Sequence, residues 1–220
     1  MSKFIIQGGI PLGGHHVAPG NKNAALPMLA ATVLADGPVR IENIPLIRDV
    51  RVMLDLLRHL GACVDLDEAT HTVLVDPSTI TPRPLDRELC RRVRTSILFA
   101  GPLAARFGEA VIPSPGGDNI GRRRLDTHFD GLRCLGIDVT ETDPYVIRRA
   151  RPLRGARLLL DEASVTATEN IVMAAVLAEG TTTIYNAACE PHVQDLCRML
   201  NAMGASWIWQ QEGRCFLMVT

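Results

Sequence analysis

A chain of 220 residues with a formal net charge of −1 carries no global field to draw it onto nucleic acid or an anionic membrane, and its 4% aromatic content offers few rings for base stacking. Hydrophobic residues make up 47%, ample for a core of Leu, Val, Ile and Ala in one or two domains. The 6 cysteines show no C-x-x-C pair and no tight spacing with histidine, which argues against zinc and fits reduced thiols in a cytoplasm.

In chain order, residues 3–7 read as a short strand ahead of Gly8-Gly9, with no apolar run long enough for a signal peptide. A second extended piece at 15–18 is closed by Pro19-Gly20. From Asn21 a helix begins that is apolar almost all round and stops near Asp36-Gly37, which marks it as buried. Its apolar stretch, 24–35, is too short to span a bilayer and holds Pro27, so a soluble cytoplasmic protein is expected. The first turn, Asn21-Lys22-Asn23, sets a cation beside the N–H groups and positive dipole end of that helix, a natural place for an anion. A strand at 39–44, an amphipathic helix at 48–60 closed by Gly61, and strands at 63–66 and 72–75 follow.

The same order then recurs. Gly37, Gly108 and Gly180 each end a buried helix before a strand, while Gly61, Gly136 and Gly204 each end an amphipathic helix before a strand, so a unit of about seventy residues is present three times. The repeats run over about 21–80, 81–155 and 156–220. Their buried helices are expected near 21–35, 90–106 and 166–178, with Ser164 as N-cap of the third. Packing the three apolar helices inside, with sheets and amphipathic helices around them, predicts a single α/β domain of pseudo-threefold symmetry. Parallel central helices would bring Lys22 and Asn23, Arg94, and Ser164 and Thr166 to one end of the domain.

Between the second buried helix and the next amphipathic one lies a glycine- and arginine-rich stretch, 111–126. It places Asp118 shortly before Arg122, Arg123 and Arg124, and arginine is the residue suited to bidentate contact with phosphate or carboxylate. Gly116 and Gly121 mimic the glycine spacing of a phosphate-binding loop. However, Arg122-Arg123 replaces the required Lys-Ser/Thr, and Pro113 and Pro115 spoil the strand approach, which excludes a nucleoside triphosphatase of that type. Arg148, Arg149, Arg151, Arg154 and Arg157 read as solvated surface.

Taken together, Gly20-Asn-Lys-Asn-Ala-Ala-Leu-Pro27, Arg94-Thr-Ser-Ile97, Gly101-Pro-Leu-Ala-Ala-Arg-Phe-Gly108, Pro115-Gly-Gly-Asp-Asn-Ile-Gly-Arg-Arg123, Ser164-Val-Thr-Ala-Thr-Glu-Asn170 and Ala178-Glu-Gly-Thr-Thr182 resemble the enolpyruvyl transferase family. Within it the resemblance is to the UDP-N-acetylglucosamine 1-carboxyvinyltransferases of early peptidoglycan synthesis and runs from Lys3 to the C-terminus. The sister 5-enolpyruvylshikimate-3-phosphate synthases typically carry Gly-Ser-Lys-Ser where this chain has Gly20-Asn-Lys-Asn23. The resemblance implies an inverse, inside-out α/β barrel built from three βαβαββ-like repeats. Residues 21–220 would form the first of two such domains. Residues 1–20 would be strands belonging to the second, whose remainder, with the aspartate that deprotonates the sugar and a further arginine, is absent.

By the same resemblance, Lys22, Arg94 and Arg123 would hold phosphoenolpyruvate and Asn23 would orient the sugar of UDP-N-acetylglucosamine. The segment Arg123, Arg124, Leu125, Asp126 and Thr127 would frame the uracil, and Ser164, Val165 and Thr166 the diphosphate. Thr166 stands where glycine is common. Asp118 stands where most members carry cysteine and some aspartate, and would be the general acid beside Lys22 and Arg123. With no thiolate there, resistance to fosfomycin-type epoxides is expected. No metal and no organic cofactor is implied, and the partners are the two substrates and the second domain, with neither nucleic acid nor membrane. A half-length, non-catalytic sugar-nucleotide-binding relative is the alternative of a different class.

Overall fold

The computed structural model describes residues 3–11, 13–117, 124–211 and 215–219, from 207 onward by backbone alone. Helix α1 (Lys22–Ala31) opens at Asn21, whose Oδ1 accepts the N–H groups of Asn23 at 2.7 Å and Ala24 at 3.2 Å. Two of the N–H groups that an anion could use are therefore already capped. Strand β1 (Val39–Ile41) is shorter than expected because Asn43 turns at φ 53 just beyond it. Helix α2 (Arg48–Leu60) has the expected bounds. Its apolar stripe, Val50, Met53, Leu54, Leu57 and Leu60, is buried, each side chain contributing about 1.5–3 kcal/mol of transfer free energy. Gly61, at φ 101, stops it in a conformation that costs a side-chain-bearing residue strain.

Strands β2 (Cys63–Asp67) and β3 (Thr72–Asp76) complete a sheet in the order β1-β3-β2, all antiparallel. In β3, Val73 and Val75 are buried while Leu74 faces out, so one face of the sheet lies on the core. A second sheet, β4-β6-β5, joins β4 (Glu109–Ile112), β5 (Ile137–Thr140) and β6 (Tyr145–Arg149) around helix α5 (Asp126–Cys134). The third takes β7 (Arg157–Leu159), β8 (Thr182–Tyr185), β9 (Trp207–Gln211) and β10 (Cys215–Val219) in the order β7-β8-β10-β9, around α7 (Pro191–Ala202). Its extra strand β7, parallel to β8, was not expected, since three residues between Gly155 and Asp161 give no periodicity to read.

The helix expected at 90–106 is three pieces. A short α3 (Arg87–Arg92) ends at Val93 in extended backbone, a 3₁₀ segment covers Arg94–Phe99, and α4 (Ala100–Phe107) follows. Pro102, lacking an N–H, sits in the first turn of α4, where no intrahelical donor is needed. Helix α6 (Val165–Ala175) ends three residues before the expected stop and is buried on every side from Ala167 onward. Glycines let its neighbours come close. A Cβ on Gly101 of α4 would lie 2.3 Å from the Asn170 carbonyl oxygen, and one on Gly131 of α5 2.1 Å from Ile171 Cδ1.

The strand expected at 3–7 is not formed, and the extended piece expected at 15–18 joins no described sheet. No described strand pairs with either segment, and Phe4, Ile5, Ile6 and Val17 stand in solvent. A strand needs a neighbour for its N–H and C=O groups, and local propensity cannot supply one. Among the described residues no helix is long and apolar enough to cross a membrane.

Candidate functional site

The start of α1, the 3₁₀ segment and the start of α6 meet at one end of the fold around a cleft of about 640 Å³. Of the residues expected to bind substrate, Lys22, Asn23, Arg94, Val165 and Thr166 line it. Arg48, Arg91 and Arg92 add positive charge, and Asp49, Glu169 and Glu190 are the carboxylates of its wall. Cations outnumber acids, so the cleft favours an anion.

Lys22 is half-exposed and its Nζ lies 3.0 Å from Asp49 Oδ2 on α2. An exposed pair of this kind contributes at most about 1 kcal/mol, so an arriving anion displaces Asp49 at little cost. Pro27, in the next turn of α1, leaves the Asn23 carbonyl without its usual helical donor.

Asp118 and Arg123 lie outside the described residues. The approach to them is firmly held on both sides. Asp143 accepts the Ser114 N–H at 3.0 Å and an Arg87 N–H at 2.6 Å, while the N–H groups of Gly116 and Gly117 donate to the carbonyls of Cys90 at 3.0 Å and Arg91 at 3.3 Å. Gly116 is required there, since a Cβ would sit 1.9 Å from the Arg91 carbonyl oxygen. Residues 113–117 thus run from β4 to the cleft, whose lining includes Gly117.

Arg124, Leu125, Asp126 and Thr127 stand beside the cleft rather than in its lining. Arg124 is tied to Asp126 and, at 2.7 Å, to Asp161, and Thr127 Oγ1 donates to Asp161 at 2.8 Å. These contacts hold the Asp161 and Asp126 carboxyls below the usual carboxylate range, chiefly through the Thr127 hydroxyl and the Arg124 guanidinium respectively. Leu125 is buried in the hydrophobic core. The Arg94 guanidinium donates to the Arg124 carbonyl at 3.4 Å, linking the two clusters. Ser164 is the N-cap of α6, with Oγ accepting the Ala167 N–H at 3.4 Å, so its side chain shapes the helix end.

Residues that the sequence did not single out complete the surroundings. His128, 1% exposed, has its pKa lowered to about 3, by burial first and the Arg94 charge second, so it is neutral at any ordinary pH. Its Nε2 lies 3.1 Å from the Thr166 hydroxyl and its Nδ1 3.2 Å from Asn170 Nδ2. Asp49, Glu190 and His192 also reach the cleft. Glu169 does too, and here a signal was available, since it is the one charged residue of α6.

The EPSP synthase (3-phosphoshikimate 1-carboxyvinyltransferase) family model matches residues 6–217. The chain is 52% identical over 206 residues to the UDP-N-acetylglucosamine 1-carboxyvinyltransferase of Borreliella burgdorferi, covering 94% of this chain and 48% of that protein. With the protein of the same name from Treponema denticola it is 55% identical over 205 residues, covering 93% and 48%. Among solved structures, the enolpyruvyl transferase NikO from Streptomyces tendae superposes with a TM-score of 0.80 at 25% identity, over 96% of this chain and 49% of that one. An EPSP synthase from Acinetobacter baumannii, at 20% identity, shares the fold with a TM-score of 0.72 over 94% and 46%. The chain spans about half the length of the curated relatives it matches. With a family match over nearly its whole length and that family's fold, the chain belongs to the EPSP synthase (3-phosphoshikimate 1-carboxyvinyltransferase) family.

Proposed function

We propose that the chain is the first domain of an enolpyruvyl transferase that moves the enolpyruvyl group of phosphoenolpyruvate to the 3′-hydroxyl of UDP-N-acetylglucosamine with release of phosphate, the first committed step of peptidoglycan synthesis. The observation that carries this reading is the cation-lined cleft at the shared end of α1, the 3₁₀ segment and α6. The names of the relatives support the substrate assignment. In this reading the domain is an inside-out α/β barrel of three repeats. The common strand order of β1-β3-β2, β4-β6-β5 and β8-β10-β9 favours it. A second domain of similar size closes the cleft, and the enzyme works in the cytoplasm, in keeping with free thiols at Cys63, Cys90, Cys134, Cys189 and Cys197.

Lys22, Arg94 and Arg123 hold the phosphate and carboxylate of phosphoenolpyruvate, Asn23 orients the sugar, Arg124 to Thr127 frame the uracil, and Ser164, Val165 and Thr166 take the diphosphate. Asp118 gives a proton to C3 of the enol, which leaves C2 as an oxocarbenium-like centre. The sugar 3′-oxygen forms its bond to C2 as its proton passes to a base on the second domain. The Asp118 carboxylate then takes a proton back from C3, that electron pair re-forms the C2–C3 double bond, the bond from C2 to the phosphate oxygen breaks, and phosphate leaves. Closure matters because cations in water lose most of their leverage on developing charge. The test is phosphate release from the two substrates, first by this chain and then after adding a separately expressed second domain from a longer relative such as the Treponema denticola protein. Turnover only on mixing supports the reading, and no turnover in a mixture that binds both substrates overturns it.

A further inference from the structure

Glu169 sits in the second turn of α6, one turn below Val165 and Thr166, and lines the same cleft while being only 1% exposed. Its Oε1 is buried with no hydrogen-bond partner among the described residues. A polar atom so placed costs about 1–3 kcal/mol, so stability alone would favour an apolar side chain there. A second orphan, the buried Nε2 of His192 at the start of α7, belongs to the same cleft wall. Unpaired polar atoms beneath a cleft of cations are groups that await a ligand.

We propose that Glu169 is a ligand-binding residue of the cleft: a neutral carboxylic acid that donates a hydrogen bond to a phosphate or carboxylate oxygen of the anion held by Lys22 and Arg94. The inference rests on the reading of the cleft as an anion site. An ionised Glu169 would repel that anion and compete with it for the cations, whereas a protonated one adds a donor and leaves the cations available. Burial comes first and the neighbouring Glu190 second in raising its pKa to about 9, and no cation contributes in the opposite direction. The titratable groups that face it from the elements about it include Lys22 of α1, Arg94 of the 3₁₀ segment, His128 of α5, and His192 and Cys197 of α7. His128 is neutral, and burial holds Cys197 protonated with a pKa of about 12, so neither supplies a countercharge.

The experiment titrates the 220-residue chain with phosphoenolpyruvate by calorimetry and follows the Glu169 carboxyl carbon by NMR as pH rises. Glu169→Leu should bind about 10- to 100-fold more weakly, the range expected for a lost hydrogen bond to a charged group, with its unfolding midpoint unchanged or raised. Glu169→Gln, which keeps a donor, should bind within about threefold of wild type. Wild-type affinity should fall as the acid ionises towards pH 9, while that of Glu169→Gln stays flat, a comparison that holds even if the leucine variant does not fold. Titration of the carboxyl carbon in the ordinary carboxylate range, or wild-type affinity in Glu169→Leu, overturns the inference. Lys22→Ala separates the two readings. If it weakens binding while Glu169→Leu does not, only Glu169 is misassigned; if it has no effect, the anion reading of the cleft falls and this inference with it.

Discussion

Asn170 fastens α6 to the chain entering α4: its Oδ1 accepts the Gly101 N–H at 2.6 Å while its Nδ2 donates to the Ile97 carbonyl at 2.8 Å, all within the core. The same amide faces His128 Nδ1, so one side chain ties the floor of the cleft to the 3₁₀ segment that presents Arg94. Asn170→Ala strands the buried Gly101 N–H, leaves the Ile97 carbonyl with the Ala100 N–H alone as backbone donor, and takes the partner from His128 Nδ1, losses of about 1–3 kcal/mol for each group left unsatisfied. The expected loss is roughly 3–5 kcal/mol of unfolding free energy in urea. A loss below about 1 kcal/mol would show that the network is ornamental.

The pH dependence of stability separates His128 from Glu169. The His128 pKa is lowered to about 3 in the fold, so its contribution is complete above its unfolded value near 6.5 and is lost as pH falls towards 3. The Glu169 pKa is raised to about 9, so its contribution is complete below its unfolded value near 4.5 and is lost as pH rises towards 9. From pH 7 up to the free-thiol range near 9 the second operates and the first does not; above that, the buried thiols of Cys90, Cys134 and Cys197, whose pKa values burial raises, add a loss in the same direction. Chemical denaturation across that interval should show stability falling with pH, and Glu169→Gln should flatten the slope.

Gly116→Val tests how the loop is carried. Its Cβ would start 1.9 Å from the Arg91 carbonyl oxygen, so the loop must lift from α3 and give up the bonds from Gly116 and Gly117. We expect a modest loss of stability, about 1–2 kcal/mol, and a fall in turnover of at least tenfold in the two-domain enzyme through a displaced Asp118. Unchanged kinetics would mean that the loop is positioned from elsewhere.

Lys22→Ala and Asp118→Asn should fail differently. Removing Lys22 takes a cation from a multiply charged ligand, so phosphoenolpyruvate affinity should drop by about 10²-fold or more. Asp118→Asn should bind UDP-N-acetylglucosamine within about threefold of wild type while turnover collapses. Loss of sugar-nucleotide binding in that variant would make Asp118 a structural loop residue.

An epoxide of the fosfomycin type should leave the two-domain enzyme active, because a carboxylate is a poor nucleophile towards it, and Asp118→Cys should restore time-dependent inactivation. Mass spectrometry showing covalent labelling of the unmutated 111–126 loop would contradict this.

Much of the fold was legible in the amino-acid order because its signals are local. Helix 48–60 alternates its apolar stripe at helical period and stops at a glycine, and Gly61, Gly136 and Gly204 share φ values of 101, 99 and 105 because each occupies the same left-handed turn. The motif at Asn21-Lys22-Asn23 and the cap at Ser164 were equally readable. What only the tertiary structure decided are the encounters between distant parts of the chain. Composition could not show that Arg124 answers to Asp161, that Lys22 meets Asp49, that the helix expected at 90–106 breaks at Val93, or that residues 3–7 find no strand partner here. Nor could local pattern show that the acid of α6 would end up with a buried oxygen unpaired in the wall of a cationic cleft. Burial and charge pairing are properties of the packed arrangement, and the sequence specifies them only through the fold it forms.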